Sequence, residues 1–99
     1  MKFDSVETAL THLKNGGYII VSDNEDRENE GDLVALADRI TPATVYEMLE
    51  ESKVLMCVPL TKERADQLGC TKMVAHSTDP NETPFMTTVD GAFEATGVT

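Results

Sequence analysis

Residues 23–32 read DNEDRENEGD, in which six of ten positions are carboxylates and one is arginine. The stretch lies between two apolar runs, YIIV before it and LVALA from Leu33 onward. If residues 26–32 are extended, side chains alternate between faces. Asp26, Glu28, Glu30 and Asp32 then share one side, and Arg27 and Asn29 the other. Like charges so placed repel unless water screens them or a cation sits among them. Hard divalent cations take oxygen ligands, and magnesium characteristically uses one or two carboxylates with water and substrate oxygens. Gly31 allows a backbone conformation closed to other residues, or a close approach by a ligand. A solvated connection between strands accounts for the same charge, and the residues alone leave both readings open. A calcium loop counted from Asp26 places Gly31 at the required sixth position. Its twelfth position is Ala37 where a glutamate should close the cage, and its flanks read as strands.

The elements around this stretch alternate helix and strand. Asp4, with Glu7 three residues on, predicts a helix start, with Val6, Ala9, Leu10 and Leu13 on one face and Gly16-Gly17 as its stop. Tyr18–Val21 reads as a strand central in a sheet, and Leu33–Ala37 as a second. Thr41-Pro42 opens a helix whose buried side carries Val45, Met48 and Leu49 and which ends near Ser52. Val54–Val58 predicts a third buried strand, closed by Pro59. Thr61 caps a short helix that carries Ala65 and Leu68 and stops at Gly69. Residues 77–82 are turn formers, Pro84 keeps Thr83 extended, and Phe85–Val89 reads as a further strand. This order predicts an α/β or α+β layered domain, a mixed sheet covered by helices, with residues 1–99 forming part of a single domain. With the ending TGVT straight after a strand and no closing element, that domain is expected to be incomplete.

Composition narrows the partners. The formal charge is −10, from 18 acids and 8 bases, so no basic stripe is available for a nucleic acid. No apolar run reaches the ~18 residues of a membrane span, and the N-terminus lacks the apolar centre of a secretory signal. Cys57 and Cys70 fit no zinc spacing, and a reduced, cytoplasmic setting is expected. Cys57 reads as a small packing residue of a core strand. Cys70 and the methionines read as packing, and His12 and His76 as surface residues.

The string EDRENEGD resembles the signature loop of the 3,4-dihydroxy-2-butanone-4-phosphate synthases, enzymes of riboflavin biosynthesis. The resemblance runs on through Asn15-Gly16, the Thr41 helix, MCVPLTKERADQLG at 56–69, the Met73 segment, the Asp79 turn and Thr83. It implies conversion of D-ribulose 5-phosphate to L-3,4-dihydroxy-2-butanone 4-phosphate and formate, with magnesium or manganese, by a cytoplasmic homodimer. It implies that Glu28 is a metal ligand, that Arg27 and Glu28 contact substrate, and that Asp32 binds a sugar hydroxyl. Asp23 matches an acid near the substrate. Glu30 and Asp26 are implied as acid–base groups or supports to the ligand, and Cys57 as a residue beside the active site. These three are the candidate catalytic side chains. The family's metal-binding histidine, in a GHT-type motif, and a further glutamate have no counterpart in these residues. Its TTGxS phosphate loop would begin at Thr99, or in a second register occupy Thr96–Thr99. The resemblance therefore implies an N-terminal portion of the enzyme, inactive by itself. A non-enzymatic binding module, a truncated paralogue keeping the fold, is the alternative.

Overall fold

The computed structural model describes residues 2–53 and 55–93. They fall into two compact units, one within Met1–Val58 and the other within Pro59–Thr99.

The first unit opens with α1, Val6–Lys14. Its cap is Ser5, whose hydroxyl oxygen accepts the Thr8 amide at 3.1 Å, rather than Asp4. The helix begins at Val6, so the oxygen that reaches the free amides of the first turn belongs to the residue immediately before it. Glu7 still lies in that first turn, where the helix dipole favours an acid. Leu13 is buried, whereas Val6 and Leu10 of the same stripe are exposed. The helix ends as predicted: the Asn15 amide reaches the Thr11 and His12 carbonyls, and Gly16 adopts a left-handed φ of 84°.

Gly16 is doubly constrained, because a Cβ there would lie 3.1 Å from the Arg39 carbonyl oxygen. Gly16→Ala is expected to cost about 1–2 kcal/mol, the penalty of a left-handed non-glycine residue, read as a lowered urea midpoint with unchanged slope.

Strands β1, Tyr18–Ser22, and β2, Gly31–Ala35, pair antiparallel with Ile20 opposite Leu33 and Ser22 opposite Gly31. The second strand begins two residues earlier than its apolar run and also ends earlier. The reason is a turn: the Leu36 carbonyl accepts the Arg39 and Ile40 amides at 3.0 and 2.9 Å, folding residues 37–39 out of the ladder. The sheet among the described residues has these two strands alone, so β1 is not central and no parallel pair makes the sheet mixed.

Helix α2, Pro42–Ser52, starts where predicted, with Thr41 capping the Thr44 amide at 3.1 Å and proline in the first turn. Thr44 is buried, and its hydroxyl donates to the Gly16 carbonyl at 3.0 Å, tying the start of α2 to the loop after α1. Met48 is buried and Val45 half-buried, but Leu49 is exposed. Lys53, at φ 52°, ends the helix. Of the predicted strand Val54–Val58, Val54 lies outside the described residues, and 55–58 form no strand. Leu55, Met56 and Val58 are exposed, as is Cys57. A strand exists through its ladder bonds, and none of the described residues pairs with this run.

In the second unit, α3, Lys62–Gln67, is capped by Thr61, buries Ala65 and leaves Leu68 exposed. Gly69 stops it at φ 71°. The predicted strand Phe85–Val89 reduces to one bridge, Met86 against Lys72. It is flanked by the bonds Met73 N–H to Phe85 O and Thr87 N–H to Thr71 O. Between them the chain turns about Asp79. Its carboxylate accepts the Thr83 amide at 2.9 Å and the Asn81 amide at 3.3 Å, and its own amide donates to the Ser77 hydroxyl. Thr83, by its amide and side chain, and then Asn81 hold the Asp79 carboxyl below the usual carboxylate range.

The described residues thus make a small α+β structure of helices and an antiparallel sheet. None of its helices is long and apolar enough to cross a membrane.

Candidate functional site

The acidic stretch joins β1 to β2, and it is not extended. Residues 25–28 form a turn. The Arg27 amide donates to the Asn24 carbonyl at 3.0 Å and the Asn29 amide to the same oxygen at 3.3 Å. The alternation that would put Asp26, Glu28, Glu30 and Asp32 on one side therefore fails. A turn replaces the two-residue repeat, and Asn29 breaks it again at φ 53°. Asparagine tolerates that left-handed conformation better than most side chains. Gly31, where the special backbone was expected, is an ordinary strand residue opposite Ser22 with no positive φ.

The turn is built on Asp23. One carboxylate oxygen accepts the Glu30 amide at 2.8 Å; the other accepts the Glu28 amide at 3.1 Å and the Arg27 guanidinium at 3.1 Å. The Asp23 amide returns a bond to the Glu30 carbonyl at 3.1 Å, extending the hairpin ladder by one step. The Glu30 amide is the largest influence holding the Asp23 carboxyl below its ordinary value. Desolvation opposes it, and the Glu28 amide and Arg27 charge add to it. Residue types carried a signal for this. An aspartate that opens a loop containing two asparagines is the usual side chain for gathering amides two or more residues on.

Arg27 also lies 3.7 Å from a Glu28 carboxylate oxygen, so the single base of the stretch links Asp23 to Glu28. Asp26 and Glu30 are exposed, and Asp32 lies on β2 opposite Val21, exposed as well. Asp23 thus bonds directly to the Arg27 side chain and to the backbone amides of Glu28 and Glu30, and Arg27 pairs with the Glu28 carboxylate. Cys57 shares their unit but is exposed, contrary to its reading as a packed core residue, because its strand does not form. Thr99 lies outside the described residues.

Among the described residues no three histidine, cysteine or acidic side chains converge to hold a metal ion. The donor set of the loop is nevertheless of the right chemistry for magnesium, carboxylate oxygens at a water-exposed turn. It suits an ion that takes one or two protein ligands and fills its sphere with water and substrate.

The comparisons with known proteins agree with this chemistry. The family model of 3,4-dihydroxy-2-butanone 4-phosphate synthase matches residues 7–99. Riboflavin biosynthesis protein RibBA of Bacillus mycoides (strain KBAB4) is 45% identical over 96 residues, which are 97% of this chain and 24% of that protein. RibBA of Bacillus subtilis (strain 168) is 46% identical with the same coverage. A crystal structure of 3,4-dihydroxy-2-butanone 4-phosphate synthase in complex with two magnesium ions matches with a TM-score of 0.77 and 37% identity. The match covers 85% of this chain and 39% of that one. The chain spans about a quarter of the length of these curated relatives. With an acidic turn of this construction and a family match along nearly the whole chain, the protein belongs to the 3,4-dihydroxy-2-butanone 4-phosphate synthase family.

Proposed function

We propose that this chain supplies the acidic-loop portion of an enzyme converting D-ribulose 5-phosphate to L-3,4-dihydroxy-2-butanone 4-phosphate and formate in riboflavin biosynthesis. The observation that carries the reading is the folded turn 23–30, in which Asp23 brings Arg27, Glu28 and Glu30 together inside a chain of this family. The reaction requires enolisation, loss of water, rearrangement of the carbon skeleton and release of one carbon. Each step moves a proton or develops charge on an oxygen. Carboxylates at a turn can hold and pass protons, and a guanidinium beside them can orient an anionic substrate.

In this reading Glu28 is a ligand of a divalent cation, magnesium or manganese, and with Arg27 it meets the sugar phosphate. Support for magnesium comes from the oxygen donors of the loop and from the related synthase crystallised with two such ions. The ion, when bound, would stabilise negative charge on substrate oxygens. Asp32 holds a sugar hydroxyl, Glu30 and Asp26 exchange protons or support Glu28, and Cys57 flanks the substrate. Thr99 belongs to the phosphate-binding segment. The enzyme works as a cytoplasmic homodimer. The exposed apolar side chains of the hairpin, Ile20 at 73% and Val21 at 47%, are surfaces that further chain of the same protein or a second copy would cover.

The test is formate release from ribulose 5-phosphate by the protein containing the whole family domain, with and without added magnesium. Metal-dependent release is expected. Its absence under both conditions would favour a binding module that keeps the fold without the reaction.

A further inference from the structure

We infer that Asp23 is a positioning residue, whose carboxylate sets the places of Arg27, Glu28 and Glu30 and does not itself touch the substrate. The inference rests on the function proposed above, and it gives Asp23 a different part from the substrate contact that the family resemblance implies.

Three observations lead to it. The first is occupancy: a carboxylate offers about four lone-pair sites, and Asp23 uses three of them within the loop. The second is exposure. The Asp23 side chain is 18% accessible, against 32% for Glu28 and 68% for Arg27, so the groups facing solvent are the ones it holds. The third is its reach. One oxygen takes the amide of Glu30 at the far end of the turn, and the other takes the amide of Glu28 and the side chain of Arg27. Its backbone exchanges a further bond with Glu30. A single side chain therefore joins both ends of an eight-residue connection, 23–30, to the middle.

The arrangement answers a difficulty peculiar to this loop. The stretch 23–32 carries six carboxylates and a single arginine, and a turn with that much like charge opens unless something holds its backbone. A neutral acceptor would bind the amides more weakly than an ionised one. An ionised acceptor also pairs with Arg27, which keeps the guanidinium at the turn. The length matters too: glutamate adds a methylene between backbone and carboxylate, moving both oxygens away from amides that Asp23 reaches at 2.8 and 3.1 Å.

Asp23→Ala and Asp23→Asn separate positioning from contact. In the 99-residue chain, NMR solvent exchange of the Glu28 and Glu30 amides is expected to quicken about tenfold or more in Asp23→Ala, the effect of losing a charge-assisted bond. Amides of the β1–β2 ladder should keep their rates. Asparagine retains one acceptor oxygen, so Asp23→Asn should fall between. In the protein containing the whole domain, Asp23→Ala should lower kcat about tenfold or more with KM for ribulose 5-phosphate changed less than about threefold, and Asp23→Asn should recover part of the loss. Unchanged Glu28 and Glu30 exchange overturns the inference. So does a raised KM with kcat held, equal in both variants, which marks a substrate contact. If Asp23→Ala loses the ladder itself, Asp23→Asn alone decides by the same readings. If the wild-type domain shows no turnover, the proposed function fails, and the exchange rates still decide what Asp23 does.

Discussion

Glu28→Gln, in the protein containing the whole family domain, is expected to lower turnover about 100-fold or more, which is about 2.7 kcal/mol of transition-state stabilisation. The same change should weaken magnesium binding about tenfold or more. Glutamine preserves the size and the backbone of Glu28, so the amide bond to Asp23 at 3.1 Å remains and the turn keeps its shape. Within the protein the substitution weakens the 3.7 Å pairing with Arg27, an exposed ion pair that adds little to stability. Under the proposed function, what changes is the charge of one oxygen ligand, and hard cations bind a neutral amide oxygen less well than a carboxylate. Calorimetric titration with magnesium, beside a formate assay, checks the result. Affinity and turnover equal to the wild type would remove Glu28 from the metal site.

A second expectation concerns the 99 residues by themselves. Incubated with ribulose 5-phosphate and magnesium, the chain should release no formate above the protein-free rate. Carboxylates are present in its loop, but the chain spans only about a quarter of the length of its relatives. Few apolar side chains are buried among the described residues: Leu13 and Met48 in the first unit and Ala65 in the second, while Ile20, Leu55, Val58 and Phe85 stand half or more exposed. Steady, metal-dependent formate release by the 99-residue chain would overturn this expectation.

Local rules proved sufficient for the helices. Thr41-Pro42, Thr61 and the Gly16 and Gly69 stops act through bonds and backbone angles spanning four or five residues, and each is found where its residue type predicts it. The Asp4 cap shifted by one place to Ser5, because neighbouring cap formers compete and the first helical turn decides between them. Strands behaved differently. Tyr18–Ser22 formed because Gly31–Ala35 lies against it, whereas Leu55–Val58, equally apolar, did not form a strand. A strand needs a partner distant in sequence, and an apolar run cannot reveal whether that partner is within reach.

The candidate site divides along the same line. Its residue types alone determined that this stretch offers oxygen ligands and one guanidinium, and the contiguous string EDRENEGD carried the family. Alternation along an extended chain misplaced the carboxylates, since it assumed a conformation that the turn at 25–28 does not have. Tertiary structure decided that Asp23 turns inward and Arg27, Glu28 and Glu30 gather around it. The physical reason is that unpaired loop amides and crowded carboxylates both demand a partner, and one ionised side chain with three bonds satisfies the amides while holding the single cation among the acids.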